Sequence, residues 1–395
     1  LSQKSENSLN KLKKGRPNYK GIIYLLALIM VMGIVILYSS SYILIYKSAE
    51  HAADEHFMKQ LKFIVMGVAI MLVVAFIPLD RHIRYAPFYM IGTVFLLLAV
   101  FAFTSDVHSH RWIQIPGINI QPSELAKVVL IVFLASYFFK RNQNETRGIV
   151  EQFIIPFSWV VIVTLLVAAE PDLSTSIIIF SIGMMVMYIS GLRLTYIFLI
   201  VGLIIIALIL AFQLDLIKPY QLARIQNFLG LIQEGEAQGQ VDVSLKAISS
   251  GGFLGQGLGL GSYKYVIPVQ FTDFIFAILG EELGFFGMAV LLILYYFMCR
   301  NMVNAAIYGV KHQAAKVIIV GYSYLIMLQV VINVGVVFGL LPPTGVTLPF
   351  VSYGGSSMLS FLMGFGFVIS ALNYSENNEK REVQEKNDKE SDYNE

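Results

Sequence analysis

The chain has 395 residues, of which 56% are apolar and 14% charged, a composition outside the range of soluble domains and expected of an integral membrane protein. A net charge of +2 gives no support to a nucleic-acid partner, and none is expected. With one cysteine, Cys299, there is neither a disulfide framework nor a cysteine-based metal site.

Apolar runs long enough to cross a bilayer occur near 21–46, 61–78, 86–104, 122–139, 153–169, 174–190, 194–214, 273–299, 316–341 and 356–373. The predicted fold is therefore an all-α polytopic bundle of about ten transmembrane helices, with both termini on one side. The first run is too long for a signal peptide and lacks a small-residue cleavage site, so it reads as a retained helix. Placing the termini in the cytoplasm puts about 19 of the 28 lysines and arginines on that face, among them those of "KLKKGRPNYK", "DRHIRY" and "EKREVQEKNDKE". The domain reading is a basic tail at 1–20, a membrane domain at 21–374 and a polar tail at 375–395. Neither tail has apolar periodicity, so both are expected to be flexible. One long extracytoplasmic loop, 215–272, precedes the eighth helix, and loops of this length are usually functional or disordered.

Most unusual polar residues fall on the outer side. "HSHRWIQIPG" places Arg111 and Trp112 there, whereas His108 and His110, on an undefined loop, do not make a metal geometry. In "INIQPSELAKVV", Pro122 and Glu124 are helix-start signals, and Lys127 shares a face with Glu124. Lys127 either closes a local salt bridge or faces a cavity as an anion-binding group. Glu170 and Asp172 flank a proline between two spans.

Within the long loop, the spacing of Leu222, Ile225, Phe228, Leu229 and Ile232 predicts an amphipathic helix, lying in the membrane interface or packed on the bundle. The glycine-rich "AISSGGFLGQGLGLGS" permits tight turns and close backbone approach but lacks the context of a P-loop. "TDFIFAILGEELGF" then carries three acids into an apolar run, each costing roughly 2.5 to 3.5 kcal/mol near a helix centre. Asp273 reads as a helix cap or a chemical group; Glu281 and Glu282 read as partners of a buried cation, with Lys127 the candidate. "LLPPTGVTLPFVSYGGSS" carries Pro342, Pro343, Pro349, Ser352, Gly354 and Gly355 at membrane depth, where irregular backbone is tolerated only inside protein or along a watery cavity.

Taken in order, "QPSELAK", "EPDLSTS", "AISSGG", "GQGLGLGSYKY", "TDFIFAILGEELGF" and "LPPTGVTLPFVSYGGSS" resemble the signature segments of the SEDS family, the FtsW-, RodA- and SpoVE-type proteins. The likeness spans nearly all the membrane segments, and the last motif looks more like the division-type FtsW branch than RodA. The resemblance implies a peptidoglycan glycosyltransferase that polymerises lipid II at the outer face of the bacterial cytoplasmic membrane, in division or cell-shape maintenance. It implies a lipid-linked glycan strand as product, a class B penicillin-binding protein as partner, and contact with other division or elongation machinery.

The family's catalytic aspartate falls on Asp273, and its substrate-facing positions fall on Arg111, Gln121, Ser123, Glu124, Lys127, Glu170, Asp172, Glu281, Ser352 and Gly354. Val269 and Phe271 stand where many relatives have an acid and a histidine or glutamine, which bears on contacts to the acceptor. An α-linked donor and a β-linked product require inversion, for which one carboxylate base suffices because a diphosphate leaves without strong acid help. Lys127, Arg111 or a divalent cation, Mg or Mn, would answer the leaving charge, and no organic cofactor is expected. A lipid II flippase and a non-catalytic scaffold that activates a penicillin-binding protein are the alternatives.

Overall fold

The computed structural model describes residues 19–47, 52–103, 111–115, 118–141, 148–170, 172–196, 198–200, 202, 236–267 and 271–392. The expected interfacial helix at 218–235, His108, His110 and most of the seventh span lie outside these residues.

The chain order is α1 (Tyr19–Lys47), α2 (Ala52–Phe76), α3 (Leu79–Phe103), a two-stranded ribbon of β1 (Ile113–Ile115) and β2 (Ile118–Ile120), then α4 (Pro122–Arg141). The strands pair antiparallel, with Ile113 opposite Ile120. A π turn (Val150–Ile154) leads into α5 (Ile155–Ala169), followed by α6 (Leu173–Ile189), α7 (Glu236–Gly251), α8 (Ile275–Asn304), α9 (Gln313–Val337) and α10 (Gly355–Asp392). Eight helices among the described residues have the length and apolar character to cross a membrane, and α6 is a shorter apolar helix. The helix of residues 355–373 continues to Asp392, where the sequence predicts a flexible tail.

Local signals account for several starts. Pro122 occupies the first turn of α4, where its missing N–H costs nothing, and Glu124 complements the positive end of that helix. Asp172 caps α6 by accepting the Thr175 N–H at 3.1 Å. At α8 the cap position is Phe274, which supplies no side-chain hydrogen bond, so Asp273 is not the cap that its place in the sequence allowed.

The core is α4, packed against α3, α6, α9 and α10, with α2 lying along α10 and α1 along α8. The segment expected to be an outer loop contains α7, which packs on α8. Beyond α7, the main chain turns and pairs with α8 where that helix breaks: Gln256 and Gly257 donate to the carbonyls of Glu281 and Glu282, and Phe285 and Phe286 donate to Gly252 and Phe253. Gly284 makes the break, at φ +64 and ψ −165, a conformation essentially confined to glycine.

Candidate active site

Between α9 and α10 the backbone is irregular from Phe338 to Gly354, and Phe350 has φ +64, rare for a bulky residue. This segment lies over the end of α8, where Tyr353 N–H donates to Phe271 O at 2.8 Å and Ser352 Oγ donates to Thr272 O at 2.6 Å. Asn333 of α9 holds the same region from the other side, its Nδ2 donating to Asp273 O and to Val346 O, each at 2.8 Å. The Asp273 main chain is thus clamped, leaving its carboxylate to face a cavity of about 600 Å³.

The cavity is lined by charged and polar groups from five helices: Lys59 (α2), Glu124 and Lys127 (α4), Thr175 (α6), Gln329 (α9) and Ser357 (α10). Asn119, Gln121, Thr272, Asp273, Thr347 and Tyr353 add to its polar wall beside Gly354, with Phe63 and Trp112 as aromatic surface. Gly345, at φ +73, lies beside the Asp273 carboxylate. Burial raises the Asp273 pKa above its ordinary 3.8; the Thr272 hydroxyl works against this and the Asp172 charge adds to it.

Lys127 Nζ donates to Glu124 Oε1 at 2.7 Å, so the local salt bridge and the cavity position, alternatives in the sequence, both hold. The partner of the deeper acids is a different lysine. Lys264 Nζ lies 2.8 Å from Glu282 Oε1 and also donates to Gly259 O at 2.9 Å, while Ser39 Oγ donates to the other carboxylate oxygen of Glu282. Glu281 pairs with no cation among the described residues; its Oε1 accepts the N–H groups of Ser262 and Tyr263. Lys264 comes back to α8 only through the turn after α7, a relationship that residue spacing does not show.

Of the sequence-predicted residues, Gln121, Glu124, Lys127, Asp273 and Gly354 line the cavity. Arg111, Glu170 and Asp172 form an adjoining cluster: Arg111 Nε donates to Glu170 O at 3.2 Å and its Nη1 lies 3.8 Å from Asp172 Oδ2. Gln121 Nε2 joins this cluster to the cavity by donating to Asp172 Oδ2 at 3.5 Å. The Glu170 carboxylate is buried, neither oxygen has a hydrogen-bond partner among the described residues, and its pKa rises to about 8 through burial and the Asp172 charge, against the pull of Arg111. Ser123 is buried, Ser352 acts on the backbone beside Asp273, and Glu281 lies away from the cavity.

The structure adds Lys59, Gln60, Thr175 and Gln329, which the sequence did not single out. Gln60 Nε2 donates to Ser352 O and its Oε1 accepts Gly354 N–H, both at 3.2 Å. A polar residue inside an apolar run was the available signal for Gln329, whereas Gln60 sits between Lys59 and Lys62, just before the apolar run at 61–78 begins.

Fold and site define a polytopic helical membrane protein with a cavity lined by charged and polar groups between its helices. The family model described as "Cell cycle protein", FtsW/RodA/SpoVE, matches residues 19–377, and the chain belongs to this family. It is 33% identical over 362 residues to a probable peptidoglycan glycosyltransferase FtsW of Tolumonas auensis, covering 90% of this chain and 92% of that one. It is also 33% identical to stage V sporulation protein E of Bacillus subtilis, over 92% of this chain and 99% of the relative. Among solved structures, a chain of a peptidoglycan synthase complex that coordinates polymerization and crosslinking superposes with a TM-score of 0.75 at 25% identity, over 90% of this chain and 97% of that chain. The rod shape determining protein RodA of Thermus thermophilus shares the fold, with a TM-score of 0.65 at 24% identity over 89% of this chain and 96% of its own.

Proposed function

We propose that this chain is a peptidoglycan glycosyltransferase that polymerises lipid II into glycan strands at the outer face of the bacterial cytoplasmic membrane. The observation that carries the reading is Asp273: its backbone is clamped, its side chain is not a helix cap, and it faces a cavity shared with Lys127. The names of the FtsW relatives support the activity, and the synthase complex among the structural neighbours supports a class B penicillin-binding protein as partner. Other division or elongation proteins would meet the chain through that complex.

In this reading the 4-hydroxyl oxygen of one sugar attacks the anomeric carbon of another. The α bond to the diphosphate breaks as the β glycosidic bond forms, and the diphosphate departs with the bonding electrons. Asp273 takes the hydroxyl proton, a task suited to a carboxylate whose proton affinity burial has increased. Lys127 answers the leaving charge, and Glu124 holds its ammonium in place. The Arg111, Glu170 and Asp172 cluster braces the cavity wall through Gln121.

A divalent cation fits as the companion of a diphosphate. Among the described residues no three Asp, Glu, His or Cys side chains converge into a protein cage. Glu124 Oε2 is buried beside the cavity with no hydrogen-bond partner among the described residues. Magnesium sites commonly join one or two carboxylates to substrate phosphates. Glu124 would contribute one such carboxylate, and the ion would neutralise developing charge on the diphosphate, leaving Asp273 free to act as the base.

The test is polymer formation from lipid II by the purified protein with its partner synthase, transpeptidation blocked and divalent cation supplied. Wild type should yield glycan polymer and Asp273→Ala none, with folding and complex formation unchanged. Polymer from both would remove Asp273 as base. Absence from both, beside an active control enzyme, would favour a flippase or scaffold.

A further inference from the structure

Gln329 is a polar group of the cavity to which the proposed chemistry gives no role. It is 1% exposed and lines the cavity, and its amide oxygen has no hydrogen-bond donor among the described residues. A buried acceptor left in this state is destabilising, so an apolar residue of the same shape would serve packing better. Its neighbours do not resolve it: Lys127 is engaged with Glu124, and Asn333 spends its amide donor on Asp273 O and Val346 O.

Its position is informative. Gln329 and Asn333 are four residues apart on α9, and hence on one helix face about 6 Å apart along the axis. Asn333 fixes the backbone of Asp273, so Gln329 lies one turn deeper along the same face. Helices α4, α6 and α9 pack on one another here, bringing Lys127, Thr175 and Gln329 to one cavity. Asp273, Lys127 and this unpartnered acceptor thus line one cavity.

We propose that Gln329 is a specificity-determining residue, whose amide oxygen accepts a hydrogen bond from the diphosphate-linked sugar while Lys127 faces the diphosphate. This rests on the polymerase reading above. The donor is either the N–H of a 2-acetamido group or a ring hydroxyl, since both present the same chemistry to an amide oxygen. Such a site reads its substrate by loss: a sugar without the donor leaves Gln329 buried and unpaired, which discriminates more strongly than a missing apolar contact.

The experiment is a cycle between protein and ligand, run with the full-length protein and its partner synthase. Wild type and Gln329→Met are assayed with natural lipid II, with an analogue whose 2-acetamido N–H is replaced by an ester oxygen, and with a 6-deoxy analogue. Methionine keeps the bulk and removes the acceptor. With lipid II, Gln329→Met should lower kcat/KM by about tenfold to a hundredfold. In wild type, one analogue should lose a similar factor, and the variant should lose nothing further with that same analogue. The arm showing this names the donor. Losses that multiply in both arms overturn the proposal, as does a variant restored to full activity merely by more divalent cation.

Ligand-induced shifts in the unfolding midpoint separate this inference from the activity it rests on. If wild type discriminates lipid II from one analogue in binding and Gln329→Met does not, yet neither makes polymer, the subsite stands and the polymerase reading fails. Equal binding of lipid II and both analogues by wild type sinks the subsite, whatever the polymer assay shows. The variant should itself unfold at the same or a higher temperature, because an unsatisfied buried amide has been removed.

Discussion

Lys264 and Glu282 form a buried ion pair, Nζ to Oε1 at 2.8 Å with side chains 1% and 0% exposed, which ties the glycine-rich turn to the break in α8. Ser39 of α1 accepts from the same ammonium through its carbonyl and donates to the same carboxylate through its hydroxyl, so three chain segments meet at one pair. Removing one charge strands the other in a buried site. Lys264→Met and Glu282→Leu should each lower stability by about 3–5 kcal/mol, whereas the double variant should recover much of the loss. Unfolding midpoints of the four proteins in one detergent check this, and additive losses would contradict it.

Asp273 should impose an acid limb on the pH–rate profile. A base acts deprotonated, so kcat/KM falls as pH drops through a pKa that burial has lifted above 3.8. The Thr272 hydroxyl favours the ionised form, and the Asp172 charge disfavours it. Thr272→Val should therefore move the limb to higher pH, and Asp172→Asn to lower pH. Asparagine can still cap α6, so that second shift should come without loss of the helix. Profiles of kcat/KM for the three proteins decide the matter; coincident acid limbs would remove Asp273 from the rate-limiting protonation.

Much of this architecture was legible because lipid demands long apolar runs, and nine of the ten expected spans have a helical counterpart among the described residues. Pro122 and Glu124 stand where helix-start rules put them, whereas the capping role of Asp172 came only with the structure. What escaped were relationships created by the return of distant segments. The cation for Glu282 is 18 residues upstream on a folded-back turn, and Lys127, nominated for that role, is satisfied by its i,i+3 neighbour. Helix α7 was missed because "EAQGQVDVSLKAISSG" mixes glycine and β-branched residues with few apolar anchors, and its packing on α8 supplies what propensity does not. Gln60 lies beside Lys59 and Lys62 before its apolar run begins, where a polar residue is ordinary, and only the packing of its helix against the segment before the last helix gives it a role.

Glu170 should make the fold sensitive to alkali. In the folded protein the carboxyl keeps its proton up to about 8, whereas the unfolded chain releases it near 4.5. Its contribution is full below the unfolded value and is lost as pH rises through the folded one. Wild type should lose stability between these values, and Glu170→Gln should flatten that part of the curve. Near pH 8 the variant should unfold higher by about 2–5 °C. Unfolding midpoints across pH 4.5 to 8.5 test this, and parallel curves for the two proteins would refute it.

Gly284 should tolerate no side chain. At φ +64 and ψ −165, a Cβ would meet Phe253 O at 2.6 Å and overlap the backbone nitrogen of Gly255. Gly284→Ala should cost about 3 kcal/mol or more and separate the glycine turn from α8. At Gly92, inside α3, an added methyl would meet nothing within 4 Å, and Gly92→Ala should be neutral or stabilising by up to about 1 kcal/mol. Similar stability losses in the two variants would show that backbone geometry at Gly284 is not the cause.

Gln60 should be needed for rate more than for binding. It is 2% exposed on α2, and its amide grips both Ser352 and Gly354, the segment whose Ser352 hydroxyl in turn holds Thr272 beside Asp273. Gln60→Leu breaks both bonds at once and should slacken the backbone that aims the base, since small misplacements of a reacting group carry large rate penalties. A drop in kcat of about tenfold with KM nearly unchanged is expected. Gln60→Glu keeps the acceptor for Gly354 N–H while losing the donor to Ser352 O, so it should fall between wild type and Gln60→Leu. Steady-state polymerisation by the three proteins tests the order; a rise in KM at constant kcat would instead make Gln60 part of the binding surface.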